Sequence, residues 1–562
     1  MFFNSFQFIL VFLPAALVGY WILMWLAGRT AAVGWLLLAS IVFYASGSLM
    51  SLAIIAPSII LDYLIARAML RRKPFETRLR TLLFAAGIAA NIAFLGYFKY
   101  KNFFLDTANT LFATHFELTK LILPLGISFL TFQKIAFLAD VQSGQVKDVR
   151  LFDFVLFTLF FPRTIAGPIV HYGEVMPQLS EIQPRSMKTD VAVGICLFSI
   201  GLFKKTVIAD GIAQFVADAF DPPTLYSDYS LVTAWTGAFA YTFQLYFDFS
   251  GYSDMALGTA RMFGVRLPMN FNSPLKASSI VDFWNRWHIT LTRFLTAYIF
   301  TPIVRHLTRA RISKGKPVLW GTRPTFSAIC VIAGLPSLIT LTISGLWHGA
   351  GWQFIVWGIW HGIVLTINQS WRILRPRFWP DQASYERVMK PLGFVLTFVT
   401  VMVGLVLFRA SSIASALSIL SGMAGMNGVL PHDLQLLEKL GISFPWSIIW
   451  DFITYLKWIV VLFLAITLLP NSLELLRRFH PALDFPEENG ETRDHEAPTS
   501  GAVYQLVRPS TAGRFRGAWT ALRQLGDHGI SLNNLTAMFV ALLLMFGIMA
   551  LGRGGAFVYL QF

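Results

Sequence analysis

The chain has 562 residues, 55% of them hydrophobic and 13% charged, with a mean hydropathy of +0.60. Soluble domains average about 45–50% apolar and about 25% charged, so an ordinary soluble protein is excluded, as are a disordered chain, a collagen and a disulfide scaffold. The net charge of +15, from 45 Lys+Arg against 30 Asp+Glu, would suggest nucleic acid in a soluble protein. Here it is read as basic loops holding the cytoplasmic side of a membrane protein, with no nucleic-acid partner.

A helix needs about 20 apolar residues to cross about 30 Å of hydrocarbon. Blocks of that kind lie at 7–27, 31–48, 50–70, 81–98, 118–141, 151–170, 190–213, 230–247, 286–304, 326–347, 352–371, 391–409, 453–470 and 535–552. Several are interrupted by Pro, Gly or polar residues. The expectation is an all-α polytopic membrane protein with roughly 11 full spans plus two or three re-entrant pieces, set in lipid. The chain reads as one transmembrane domain, 1–562, in five parts: peripheral helices at 1–110, a core at 118–372, helices at 391–470, a polar insertion at 471–534 and a last helix and tail at 535–562.

The opening MFFNSFQF has no basic segment and no small-residue cleavage site follows, so the first block is not read as a cleaved signal peptide. Residues 1–100 carry few polar interruptions and are expected to wall in something else. A basic loop follows the third block: Arg67, Arg71, Arg72, Lys73, Arg78 and Arg80, opposed only by Glu76. A second runs Arg305, Arg309, Arg311, Lys314, Lys316, Arg323. Both are expected on the cytoplasmic side, where they would also attract an anionic co-substrate.

From 118 to about 370 ionisable and amide side chains enter the apolar blocks, among them Gln133, Asp140, His171, Gln244, Asp254, Asp282, Arg286 and His361. Such groups are costly at membrane depth and face a protein interior or a wet cavity, so the chemistry is expected here. In FDFSGYSDMALGTARMFGVRLPMNFNSP, 247–274, Asp248 and Asp254 bracket Ser250, Gly251 and Tyr252. Gly251 would permit a broken helix lining a cavity; the alternative is a structural break held by Asp caps. Ser250 lacks the flanks of a nucleophile elbow. In DFWNRWHITLTRF, 282–294, Asp282 and Arg286 can pair at i,i+4, and the tryptophans suit a membrane interface. Its His288 is read as either catalytic or positioning.

The segment SGLWHGAGWQFIVWGIWHG, 344–362, is the most informative. A neutral imidazole is the titratable group most cheaply placed among apolar residues and still acts as a base near neutral pH, and Gly349 and Gly351 allow close approach to His348. On one straight helix His361 would lie about 20 Å further along the axis, so the two could not act on one atom. His348 is the candidate catalytic group; the alternative is a hydrogen-bonded core histidine. No metal-ligand spacing and no phosphate-cradling glycine loop occurs, so no metal and no bound cofactor is expected. The two cysteines, Cys196 and Cys330, sit in apolar blocks and are read as small buried hydrophobes. The insertion at 471–534 is acidic first and basic later, read as a solvated loop leading to an interfacial helix.

Taken together, FNSFQFILVFLP (3–14), LPLGISFLTFQKIAFLADV (123–141), FFPRTIAGPIVHYGEVMPQL (160–179), FQLYFDFSGYSDMALGTARMFGVRLPMNFNSP (243–274), FWNRWHITLTRFLTAYIFTPI (283–303), SGLWHGAGWQFIVWGIWHG, LFRASSIASALSIL (407–420) and FVYLQF (557–562) resemble the membrane-bound O-acyltransferase family, in its bacterial polysaccharide branch. The resemblance runs nearly end to end. It implies helices around a central funnel in the bacterial inner membrane. It implies transfer of an acetyl group from a cytoplasmic donor, acetyl-CoA, toward O-acetylation of an exported polysaccharide such as alginate, with a periplasmic acetyltransferase and export machinery as partners. His348 matches the family's catalytic histidine and His288 its second characteristic one. Asn285 stands where Arg is common, and 484–534 is the least typical part. Within this frame Trp287 and Arg293 are expected to position the donor, and Asp248, Tyr252 and Asn270 to shape the cavity wall. Two other readings stay open: a non-catalytic transporter of an acyl carrier or glycan, and a relative that acylates a lipid or a protein.

Overall fold

The computed structural model describes residues 1–72, 78–181, 187–221, 229–319, 324–429, 446–484, 529–552, 555, 557 and 558. Every regular element among them is helical. The chain opens with four membrane-length helices, α1 (Gln7–Leu26), α2 (Arg29–Gly47), α3 (Leu49–Leu70) and α4 (Arg78–Phe112). Three shorter ones follow: α5 (Ile127–Ser143), α6 (Leu151–Leu159) and α7 (Tyr172–Glu181). They lead to α8 (Met187–Phe220) and the 32-residue α9 (Leu231–Met262). Short α10 (Ile280–Trp284), α11 (Ile289–Leu295) and α12 (Thr301–Ile312) precede a helical hairpin of α13 (Phe326–His348) and α14 (Trp352–Phe378). The remaining helices are α15 (Gln382–Arg409), α16 (Ile413–Met423), α17 (Trp446–Leu468), α18 (Ser472–Leu475) and α19 (Asn534–Met549).

Among the described residues seven helices are long and apolar enough to cross a bilayer: α1 to α4, α8, α13 and α15. This is fewer than the roughly 11 spans expected. The apolar blocks at 118–141 and 151–170 yield only the short α5 and α6, and the long α9 and α14 are more polar. Most of the insertion, including Glu487, Glu488, Glu491, Asp494, Glu496, Arg508, Arg514, Arg516 and Arg523, lies outside the described residues, as do Lys73, Glu76 and Arg323.

The centre of the molecule is the antiparallel pair α8–α9. Every residue of α9 from Ala240 to Met262 is buried. A Cβ on Gly251 would stand 2.7 Å from the Gly201 carbonyl, and one on Gly258 would stand 2.5 Å from that of Gly194. The matched seven-residue spacing of glycines lets the two backbones touch, which is how helices associate where lipid removes the hydrophobic driving force. Ion pairs then join the same two helices: Arg261 to Asp190 at 2.8 Å, Lys204 to Asp254 at 2.7 Å and Lys205 to Asp248 at 2.9 Å, with Asp210 also on Lys205 at 2.7 Å.

This corrects the broken helix expected at 247–254. The helix is continuous, because the carboxylates are balanced by lysines of α8 rather than by freed backbone amides. The N-terminal helices also do more than wall in the core. Asp62 of α3 is buried with Lys134 of α5 at 3.0 Å and receives Asn91 Nδ2 of α4 at 2.7 Å. Cys196 is buried as expected, but Cys330 is exposed on the outer surface of α13.

Candidate active site

His348 is the last residue of α13. Gly349 and Gly351 take extended backbone, and the chain then re-enters as α14. The two helices pack closely because a Cβ on Gly345 would stand 2.1 Å from the Phe354 carbonyl, and one on Gly358 2.3 Å from that of Leu341. His348 and His361 are therefore not on one straight helix, contrary to the expectation. They sit on two arms of a hairpin with Trp357 between them, its ring 5.2 Å from His348 and 5.0 Å from His361.

The His348 side chain is 8% exposed. Its imidazole is bounded by Trp347, Trp357 and Phe408 at 4.8, 5.2 and 5.3 Å between ring centres, all edge-on. It stands on the wall of a cavity of about 190 Å³, shared with Lys99, Gly126, Ser128, Phe129 and Trp347. The far wall is the segment leading into α5. Gly126 there has φ +68°, and a Cβ would lie 2.8 Å from the Thr164 carbonyl, so the tight entry into α5 depends on glycine.

Sequence reasoning missed Lys99. It lies in GYFKYKNFF, just beyond the apolar block at 81–98, in a region read as plain wall. Its signal was an ammonium among aromatic residues at the end of a span. Lys99 Nζ lies 3.1 Å from the His348 carbonyl oxygen.

His288 sits in the turn between α10 and α11, in left-handed backbone at φ 45°, and is 1% exposed. Its Nδ1 is 3.0 Å from Asn270 Oδ1, which also receives the Thr290 hydroxyl at 2.9 Å and the Thr290 backbone N–H at 3.4 Å. A backbone N–H only donates, so that end of Asn270 is the carbonyl. Nδ1 of His288 therefore carries the proton and Nε2 the lone pair. Asn270 Nδ2 is in turn held by Ser253 Oγ at 3.2 Å. The His288 ring meets Phe249 at 4.8 Å and Trp347 at 6.3 Å, so Trp347 is a wall common to both histidines.

The other predicted residues lie in different surroundings. Asp248 belongs to the α8–α9 ion pairs. Tyr252 accepts the Ala166 N–H at 3.2 Å and packs on Phe3 and Phe557 at 5.1 and 4.9 Å. Trp287 lies between Phe283 at 5.6 Å and Phe271 at 5.1 Å. Arg293 makes a two-pronged pair with Glu174 at 2.6 and 3.0 Å and approaches Asp484 at 3.5 Å. Asp282 and Arg286 do pair, at 2.7 Å. A polar group absent from the expected site accompanies Arg293: Asp140 holds His171 Nδ1 at 2.9 Å and the Tyr298 hydroxyl at 3.2 Å. Among the described residues no group of three or more His, Cys, Asp or Glu side chains is placed to hold a metal ion.

An imidazole on the wall of a small cavity, between aromatic faces, can take a proton from a hydroxyl or carry an acyl group. Comparison with known proteins gives that chemistry a context. Residues 141–314 match the signature of MBOAT, the membrane-bound O-acyltransferase family. The chain is 39% identical over 454 residues to a peptidoglycan O-acetyltransferase of Helicobacter pylori, covering 76% of this chain and 80% of that protein. It is 36% identical over 442 residues to a protein of Azotobacter vinelandii named probable alginate O-acetylase AlgI, covering 77% and 80%. A teichoic acid D-alanyltransferase of Streptococcus thermophilus is 29% identical over 296 residues, covering 50% and 68%. With relatives of this identity aligned along most of its length, the chain belongs to the membrane-bound O-acyltransferase family and is an O-acyltransferase.

Proposed function

We propose that this chain moves an acetyl group from acetyl-CoA, used on the cytoplasmic side of the bacterial inner membrane, to O-acetylate a polysaccharide on the other side. The observation that carries the reading is the His348 imidazole on the wall of the cavity. The relatives' names supply the acyl group and the class of acceptor: one is a peptidoglycan O-acetyltransferase and another an alginate O-acetylase.

Charge and helix length support the sidedness. Arg67, Arg71 and Arg72 lie at the end of α3 and Arg78 at the start of α4. From Arg78 to Lys99 is 21 residues, about 31 Å along a helix. Lys314 and Lys316 precede α13, and from Phe326 to His348 is 22 residues, about 33 Å. Both helices thus carry their cavity residue about one hydrocarbon thickness away from a basic loop. If basic loops are cytoplasmic, the cavity opens to the outward side, where the acceptor is met, and the thioester must reach His348 from the cytoplasmic side.

In the proposed reaction His348 takes the proton of the accepting hydroxyl as its oxygen attacks the thioester carbonyl. The new C–O bond forms, the C–S bond breaks, and the proton passes to the departing thiolate. His288, with Nδ1–H fixed by Asn270, supplies an oriented Nε2 beside the same tryptophan. Where a periplasmic acetyltransferase and export machinery take part, they would carry the acetyl group onward to the exported polysaccharide. The test is transfer from labelled acetyl-CoA by the purified full-length protein, with the product identified by mass spectrometry. Acetylated glycan supports the reading; an acylated lipid or protein, or glycan flux without donor consumption, overturns it.

A further inference from the structure

The last turn of a helix leaves carbonyls with no partner inside the helix. In α13 these include the carbonyls of Leu346, Trp347 and His348, and two consecutive side chains of α4 take all three. The Tyr100 hydroxyl donates to Leu346 O at 2.7 Å. Lys99 Nζ donates to Trp347 O at 2.6 Å and to His348 O at 3.1 Å. Its third partner is Ser128 Oγ at 3.3 Å, which engages every donor an ammonium has. Both residues lie where α4 widens into a π-helical turn, Gly96–Tyr100, a distortion common at functional sites.

We propose that Lys99 and Tyr100 are positioning residues, a clamp that fixes the carbonyl end of α13 and through it the His348 ring at the cavity wall. The need for a clamp follows from the sequence. His348 is followed by Gly349, Ala350 and Gly351, so the chain beyond the ring supplies little stiffness of its own. The ammonium also meets the negative end of the α13 dipole, the place where a cation is stabilising. Since its three donors are spent on α13 and Ser128, Lys99 serves the reaction through His348 rather than by binding substrate. The inference rests on the reading of His348 as the reacting group.

The experiment uses the full-length protein in detergent, as wild type, Lys99→Met, Lys99→Arg and Tyr100→Phe. One readout is thiol release from acetyl-CoA in the presence of peptidoglycan or alginate fragments. The other is the rate at which diethyl pyrocarbonate modifies His348, followed by peptide mass spectrometry, which needs no acyl transfer. Because small misplacements of a reacting group are costly, Lys99→Met is expected to lower kcat about 10- to 100-fold. Its KM for acetyl-CoA should stay within about twofold, the signature of a loss felt in the reaction rather than in binding. Lys99→Arg should recover part of kcat, Tyr100→Phe should show a smaller loss, and the modification rate of His348 should change in Lys99→Met. A folded Lys99→Met with kcat and modification rate equal to wild type overturns the clamp, and so does a rise in KM with kcat unchanged. Should Lys99→Met fail to fold, Lys99→Arg and Tyr100→Phe carry the same readouts, and wild-type behaviour in both overturns it. A wild type that releases no thiol overturns the functional reading, while the modification rates still decide the clamp.

Discussion

At the scale of single residues, His288 depends on Asn270 more than on anything near it in sequence. Asn270→Leu keeps the shape of the side chain but removes the acceptor that the His288 Nδ1–H and the Thr290 hydroxyl share in a buried site. Leaving a buried donor unmade costs about 1–3 kcal/mol, so thermal unfolding in detergent should shift down. Acyl transfer by the folded fraction should fall, because the ring loses what fixes its orientation and tautomer. Unchanged activity would make His288 a packing residue. The histidines could be found in the sequence because an imidazole among Trp and Gly in an apolar block is unusual. Lys99 was harder to see, since a lysine at the end of a span normally reaches for water. Only the fold shows that it reaches instead for the end of α13.

At the scale of elements, α8 and α9 hold the core together through matched glycines and crossed ion pairs. Lys205 stands between Asp210 and Asp248 with no exposure of its own side chain. Lys205→Met would leave two carboxylates buried without their cation, and breaking a buried pair on one side costs about 3–5 kcal/mol. The variant should unfold at a clearly lower temperature or fail to accumulate. A triple change that adds Asp210→Asn and Asp248→Asn should recover much of the loss. A single variant as stable as wild type would remove the network from the account of the fold. The apolar blocks made the long helices legible. The carboxylates in FDFSGYSD were misread as a break because their partners lie some 40 to 50 residues earlier, and spacing alone does not reveal contacts across a helix pair. The apolar blocks at 326–347 and 352–371 already part at Gly349–Gly351, but the two glycines were read for access rather than for a turn.

At the scale of the whole molecule, the account requires the cavity and the basic loops to face opposite sides of the membrane. With Cys196 and Cys330 replaced by Ala, a cysteine at Leu123, 49% exposed beside the cavity, should react with an impermeant maleimide added outside intact cells with a permeabilised outer membrane. A cysteine at Ser313, beside the basic end of α12, should react only after lysis. The reverse pattern would turn the proposed path around. Class and family were legible from composition and from motifs that run almost end to end, whereas the acceptor has no signature in the residues that line the cavity. The central claim is that one imidazole does the transfer. Its most direct test is acetyl transfer from labelled acetyl-CoA by purified wild type and His348→Ala, matched for folding by thermal unfolding. The account predicts labelled glycan from the wild type and a loss of about 100-fold or more in the variant, the scale of a missing general base. A folded His348→Ala protein that labels glycan at the wild-type rate would contradict it.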